Sequence, residues 1–260
     1  MGTAQVQGAL WGARPRDWAD LQEVAFRALY ETVFDAVDIK RGTQLADIGC
    51  GAGLACEVAH ERGASVSGLD ASSTLLEIAK SRCPHADLRV GEMEELPFDN
   101  CAFDVVTGFN SFQYAADSAR ALGEAKRTAK PEGLVVAAVW GEAAKCELAG
   151  YLGALGKLLP PPPPGAPGPF ALSAPGALEA LMQQAGLRPA SDGNAPVNMT
   201  FRDEATAICG LLASGPATRA VQHSGEEAVR KGIAEAIAPY RKLDGSYVLR
   251  NEFKYVVSRT

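Results

Sequence analysis

Apolar positions along the chain change period several times, and the changes divide it. Residues 17 to 37 carry Leu21, Val24, Ala25, Ala28, Leu29, Val33 and Phe34 at helical spacing, behind Pro15 in a position suited to a helix start. After Arg41-Gly42, short apolar runs alternate with helical stretches. Strands are predicted at Gln44 to Ile48, Ser65 to Leu69, Leu88 to Val90, Phe103 to Phe109 and Leu134 to Trp140. Helices are predicted between them at Gly53 to Arg62, Ser73 to Arg82 and Ala115 to Thr128. Such alternation predicts βαβ units and a parallel sheet covered on both faces.

Beyond Trp140 the pattern loosens. A helical stretch from Glu142 to Leu158 runs into Pro160 to Pro164 and then Gly165, Pro167, Gly168 and Pro169, which predicts a stiff polyproline connector. Further helices are expected at Pro175 to Ala185, Asp203 to Leu212 and Glu226 to Tyr240. Strands are expected at Leu187 to Phe201 and Ser246 to Ser258. The chain thus reads as a single domain. It has an N-terminal helical cap (1–42), a ligand-binding core (43–141) and a C-terminal half (142–260) with helices at about 203–240 and a final strand.

Between the first strand and first helix lies Asp47-Ile48-Gly49-Cys50-Gly51-Ala52-Gly53. Glycines in that turn let a ligand approach the backbone N–H groups at the helix N-terminus. A dinucleotide fingerprint needs its third glycine at position 54, which is Leu54, and the third glycine comes one residue early. Asp47 at the end of the strand is awkward for a pyrophosphate and useful for a ligand with an ammonium or sulfonium group. Asp70 closes the second strand, where a carboxylate can accept both hydroxyls of a ribose. Ser72 and Ser73 are left to cap the next helix. After the third strand, Glu92 can accept from an exocyclic adenine amine and Met93 can lie against the ring. Glu94 and Glu95 read as a solvated turn.

These elements resemble the class I S-adenosylmethionine-dependent methyltransferases, in the small-molecule group with the menaquinone/ubiquinone-type domain. The resemblance rests on residues 47–53, on Gly68-Leu69-Asp70 and on Gly91-Glu92-Met93-Glu94-Glu95-Leu96-Pro97-Phe98. Phe103-Asp104-Val105-Val106 and Lys130-Pro131-Glu132-Gly133 extend it, so that it covers about residues 43–141. The chain departs from the family at Glu132, where a second glycine is usual, and at Glu92, where Asp is usual. The resemblance implies a seven-stranded, mostly parallel Rossmann-like α/β sheet with helices on both faces and a helical lid insertion.

It implies further that Gly49 and Gly51 lie against the methionine part of S-adenosylmethionine, with Asp47 near its ammonium group. Asp70 with Ala71 would hold the ribose, Glu92 and Met93 the adenine, and Asn110 would sit beneath the methionine moiety. The aromatic stretch Trp11 to Trp18 belongs to a segment expected to fold over the cofactor, ordinary packing of Trp11 and Trp18 on the sheet being the alternative. Gln113 and Tyr114 are the candidate acceptor contacts, and His223, in the expected lid, is the candidate base. A non-catalytic module that binds S-adenosylmethionine is the alternative, and an NAD-dependent oxidoreductase is a more distant one.

Charge and composition narrow the partners. The formal net charge is -6, and there is no basic stripe of the kind that grips phosphate backbones, so the expected acceptor is a small molecule and not nucleic acid. The longest apolar run, Leu134 to Trp140, is far short of the roughly 20 residues a membrane helix needs. Six scattered cysteines form no CxxC pair, so neither a metal site nor a disulfide framework is expected. The first residues lack the basic and apolar regions of a secretory signal, and the expected compartment is the cytoplasm.

Overall fold

The computed structural model describes residues 2–161 and 168–260. Most of the expected polyproline connector, at 162–167, lies outside the described residues. Nine strands are described: β1 (Gln44–Ile48), β2 (Ser65–Asp70), β3 (Asp87–Val90), β4 (Phe103–Phe109), β5 (Ala129–Trp140), β6 (Arg188–Pro196), β7 (Met199–Phe201), β8 (Tyr247–Leu249) and β9 (Glu252–Arg259). Seven form one sheet in the order β3-β2-β1-β4-β5-β9-β6. Pairings from β3 through β5 are parallel, while β9 runs antiparallel to both β5 and β6. This is the mostly parallel seven-stranded α/β sheet the sequence implied.

Successive side chains of the central strands enter opposite cores, as a strand covered on both faces requires. Leu45, Val105 and Val136 point to one face, where the helices Arg27–Ala36, Leu54–Glu61 and Ala149–Leu158 pack. Ala46, Ile48, Val106 and Val135 point to the other, against the helices Ser118–Thr128 and Ala177–Gln184.

Two expected strands each divide in the C-terminal half. Leu187 to Phe201 becomes β6 and β7, and Ser246 to Ser258 becomes β8 and β9, with β7 and β8 paired antiparallel in a separate ribbon. Asn251, only 4% exposed, lies at the point of division. Its Nδ2 donates to the carbonyls of Val197 (3.1 Å) and Leu249 (3.2 Å), and its Oδ1 accepts from Leu148 N–H (2.9 Å). These side-chain bonds satisfy the backbone where both strands leave the sheet.

Residues 203–240 form the helices Glu204–Leu212, Gly215–Ser224 and Glu226–Ile237. Their apolar faces, including Leu211, Leu212, Val229, Ile233 and Ile237, are buried in the same cluster as Phe34 and Leu45. The amphipathic pattern read as a lid is therefore explained by core packing. Gly215–Ser224 was not expected, although Ser214, whose Oγ accepts from Ala217 N–H, and Pro216 in the first turn mark its start.

The turn at Glu132 keeps the geometry a glycine would favour. Its φ is +61°, left-handed on a residue with a side chain, so the sequence departure leaves the turn in place.

Candidate functional site

The expected helix over 17–37 is not uniform. It runs as Pro15–Asp17 (α), Trp18–Gln22 (π), Glu23–Phe26 (3₁₀) and Arg27–Ala36 (α), preceded by an unexpected helix Ala4–Trp11. Only Leu10 of that first helix is fully buried and Gly8 interrupts it, so its periodicity is weak. Together these pieces lie over the carboxyl ends of β1, β2 and β4.

That edge is where strand order reverses, because β1 is flanked by β2 on one side and β4 on the other. Open α/β sheets bind ligands at such a point. A narrow cavity of about 80 Å³ lies here. The strand side of its wall comprises Gly49, Gly51, Asp70, Ala71, Leu75, Met93, Phe109, Asn110, Ser111 and Tyr114. The N-terminal segment supplies Gln7, Trp11, Trp18, Phe26 and Tyr30.

The glycine turn is left-handed at Gly49, Gly51 and Gly53, with φ of +79°, +56° and +85°. At Gly49 the need for glycine is also steric, since a Cβ there would lie 2.5 Å from Ser111 Cβ. The amides of Gly49 and Cys50 both donate to Leu69 O, at 2.7 and 3.0 Å, which ties the turn to the end of β2.

Asp70 completes that tie. Its Oδ2 accepts from Gly51 N–H and its Oδ1 from Ser72 N–H, both at 2.8 Å. Ser72 Oγ caps the next helix by accepting from Leu75 N–H at 3.2 Å, so Asp70 is not needed as the cap. Asp70 lines the cavity, and a carboxylate has the acceptor capacity to take two ribose hydroxyls beside these amides. Burial raises the Asp70 pKa above the usual carboxylate value, while the Ser72 and Gly51 amides oppose the shift.

Asp47, at the end of β1 two residues before Gly49 and not itself among the cavity-lining residues, is 2% exposed, and its Oδ1 accepts from Thr107 Oγ1 at 2.7 Å. Burial pushes its carboxyl up to about 7; the Thr107 hydroxyl opposes this, and the charges of Glu23 and Asp70 add to it. A buried acid without a cation favours the proton, and an ammonium group brought beside it would displace that proton. Three more polar atoms are buried without partners around the turn or its neighbours: Trp18 Nε1, Ser111 Oγ and Gln113 Oε1. Buried polar groups are ordinarily satisfied, and the donor set here fits an amino-acid-bearing nucleoside.

Other assignments change. Glu92 is not among the cavity-lining residues. Its Oε2 accepts from Ala4 N–H at 2.9 Å, at the open end of the helix Ala4–Trp11, whose own Thr3 makes no side-chain cap. The longer acid thus anchors the N-terminal segment. Glu92→Ala should loosen that anchor by about 1 kcal/mol. The expected result is faster limited proteolysis within residues 2–14, with the rest of the chain equally protected. Glu94 is buried and not a solvated turn residue, its Oε1 accepting from the amides of Ala116 and Asp117 at 2.7 and 3.1 Å.

His223 stands exposed in the last turn of Gly215–Ser224 and does not line the cavity; the helix that carries it turns its buried face to the core. The expectation that it meets an acceptor there is corrected. Gln113 also lies outside the lining, and its Nε2 donates to Asn110 Oδ1 at 2.5 Å, which orients Asn110 at the cavity wall. Tyr114 lines the cavity and stacks edge-on against Trp11 at 5.4 Å; burial pushes its phenol up to about 12.

Glu23 is a residue that no motif signalled. It is 2% exposed, accepts from Ala52 N–H at 2.9 Å and pairs with Arg82. Arg82 in turn donates to the carbonyls of Ala52 (3.1 Å) and Ala19 (3.0 Å), clamping the N-terminal segment to the glycine turn. Burial raises the Glu23 pKa to about 7 against the pull of Arg82.

A methyltransferase-domain family profile matches residues 46–137. The chain is 33% identical over 106 residues to demethylmenaquinone methyltransferase of Paenarthrobacter aurescens, covering 41% of this chain and 42% of that protein. It is 34% identical over 126 residues to ubiquinone biosynthesis O-methyltransferase of Alkalilimnicola ehrlichii, covering 46% of this chain and 51% of that one. The chain therefore spans about half the length of these relatives or less. Among solved structures, the [4+2]-cyclase SpnF superposes with a TM-score of 0.58 at 20% identity, over 90% of this chain and 81% of that one, a likeness of fold. The glycine turn with its two acids lies inside the matched region, so residues 46–137, which carry the turn and both acids, are the part of the chain that is similar to a methyltransferase domain.

Proposed function

We propose that this chain transfers the methyl group of S-adenosylmethionine to a small organic acceptor. The observation that carries the reading is the conjunction at one strand edge of Asp70, a carboxylate in the cavity wall, and Asp47, a buried acid without a cation. When bound, S-adenosylmethionine supplies a methyl group already activated on a sulfonium. The protein is then required chiefly to orient and to exclude water.

Its residues divide that work. Asp70 receives the ribose, Gly49 and Gly51 allow close approach of the methionine part, and Asp47 receives the ammonium. Ala71 and Met93 flank the nucleoside, and Asn110, held by Gln113, supports the amino-acid end. The N-terminal segment, through Trp11, Trp18, Phe26 and Tyr30, closes the cavity in place of the helices at 203–240. Burial raises the Tyr30 phenol well above its ordinary value, as it does Tyr114, so both keep their protons at neutral pH. Such walls suit an acceptor that brings its own nucleophile and is mostly apolar, as the quinone-related names of the relatives would fit.

The net charge of -6 supports a small molecule over nucleic acid and accords with the cytoplasm. Among the described residues no helix is long and apolar enough to cross a membrane. A panel of phenols, amines, carboxylates and quinone-like compounds, incubated with methyl-labelled donor, tests the reading. Label should pass to at least one small molecule. Transfer only to RNA or protein would overturn the acceptor class, and binding without transfer to any acceptor would favour a non-catalytic module.

A further inference from the structure

We infer that Trp18 is a cofactor-positioning residue, its indole N–H donating a hydrogen bond to the α-carboxylate of the cofactor's methionine part. The assignment rests on the cofactor reading above and extends it to a residue outside every motif of the glycine turn.

Trp18 Nε1 is buried and has no hydrogen-bond partner, although the ring borders the cavity. The atom sits directly over the turn: a Cβ built on Gly51 would lie 3.3 Å from Trp18 Nε1. The ring is held there by edge-on packing against Trp11, with centroids 5.0 Å apart at 83°, and by Phe26 at 6.1 Å. A buried donor fixed in place is costly unless something accepts from it.

The backbone is shaped to aim it. Trp18 opens the π-helical turn Trp18–Gln22, in which Glu23 N–H bonds to Trp18 O, five residues back. In a regular α-helix, residues five apart would diverge by about 140° around the axis, at 100° per residue. The wider turn brings Trp18 and Glu23 onto one side, so that both reach Gly51, Glu23 Oε1 to within 3.1 Å of the same Cβ position. Single π turns inside helices are often found at functional sites.

The chemistry selects the group. An indole N–H donates and cannot accept, so it needs an acceptor on the ligand. The glycine turn borders the methionine part, whose ammonium is itself a donor, which leaves the carboxylate oxygens. Glu23 beside the indole does not bar an anion, because its charge is paired with Arg82 and its Oε1 is committed to Ala52 N–H. A second orphan lies at the turn: Ser111, 6% exposed, has an unpartnered Oγ 3.2 Å from the Cβ position of Gly49. Two unpartnered buried groups therefore lie against one turn.

Calorimetric titration of wild type and Trp18→Phe with three ligands tests this. S-adenosylhomocysteine has the carboxylate, decarboxylated S-adenosylmethionine lacks it, and 5′-methylthioadenosine lacks the whole amino-acid end. The variant should bind S-adenosylhomocysteine about 10- to 100-fold more weakly, as expected for a lost hydrogen bond to a charged group. The other two ligands should change less than twofold. Equal losses for all three, or no loss for any, would overturn the assignment. Should the variant fail to fold, the wild-type spectrum decides: the Trp18 indole proton should shift downfield with S-adenosylhomocysteine and not with 5′-methylthioadenosine. Equal shifts with both would overturn the proposal. A wild-type protein that bound none of the three would overturn both this assignment and the cofactor reading beneath it.

Discussion

Asp47→Asn should lower affinity for S-adenosylmethionine at pH 8 by roughly 100-fold or more, while making the cofactor-free protein more stable. The loss follows from leaving the cofactor's ammonium in a buried site without its anion, which costs about 3–5 kcal/mol. The gain follows from the same burial, because the wild-type carboxyl is pushed up to about 7 by its surroundings. A folded pKa above the unfolded value of about 3.9 means that this group's stabilising contribution is present below about pH 4. That contribution is lost as pH rises toward about 7. Asparagine carries no charge and can still accept from the Thr107 hydroxyl, so the variant should unfold at higher temperature than wild type at pH 8. The difference should shrink toward pH 4. A variant that binds normally, or one destabilised at pH 8, would remove Asp47 from the ammonium site.

The same acid makes binding depend on pH. Cofactor binding must expel the Asp47 proton, so affinity should be flat above about pH 7 and fall below it, toward tenfold per pH unit. Titration at pH 6 in buffers of different ionisation enthalpy should count close to one released proton in wild type and none from this group in Asp47→Asn.

The second large effect is at Asp70. Replacement by Ala should weaken cofactor binding by about 1.5–3 kcal/mol, or roughly 10- to 150-fold, through loss of charge-assisted bonds to the ribose. Asp70 also holds the Gly51 and Ser72 amides, so binding could fall because the turn relaxes. A 2′-deoxy analogue of S-adenosylhomocysteine separates the two causes. It should bind wild type more weakly than the parent compound and bind Asp70→Ala equally well. An undiminished difference between the two ligands in the variant would place the ribose elsewhere.

How far the sequence reveals this site depends on whether a residue acts where its local pattern puts it. The bounds of β1, β4 and the helix Ser73–Arg82 agree residue for residue with the apolar pattern. Their side chains are buried by the sheet they belong to, and Ser72 supplies a local cap. Gly49, Gly51, Asp70, Ala71, Met93 and Asn110 all border the cavity because the strand ends bring them there, whatever the loops do.

The helices at 203–240 stand close to where the apolar pattern put them, but what they and Glu92 meet was not legible, because a side chain's partner can be remote in sequence. Glu92 meets Ala4, 88 residues away, and Ile233 lies in a helix that packs on the helices Ala149–Leu158, Glu204–Leu212 and Gly215–Ser224. Glu23 was hidden differently, even with Trp18 expected in the segment over the site. Periodicity at 100° per residue separates them, and only a π turn joins them over Gly51. Glu132 shows the converse, a sequence departure with no structural consequence, since the chain adopts φ of +61° there regardless.

Calorimetric titration of the unmodified protein at pH 8, with S-adenosylhomocysteine and with NAD in parallel, tests the central claim most directly. One molecule of S-adenosylhomocysteine should bind per chain, with no detectable heat from NAD at the same concentrations. Saturable binding of NAD, or the absence of any binding by S-adenosylhomocysteine, would contradict the account.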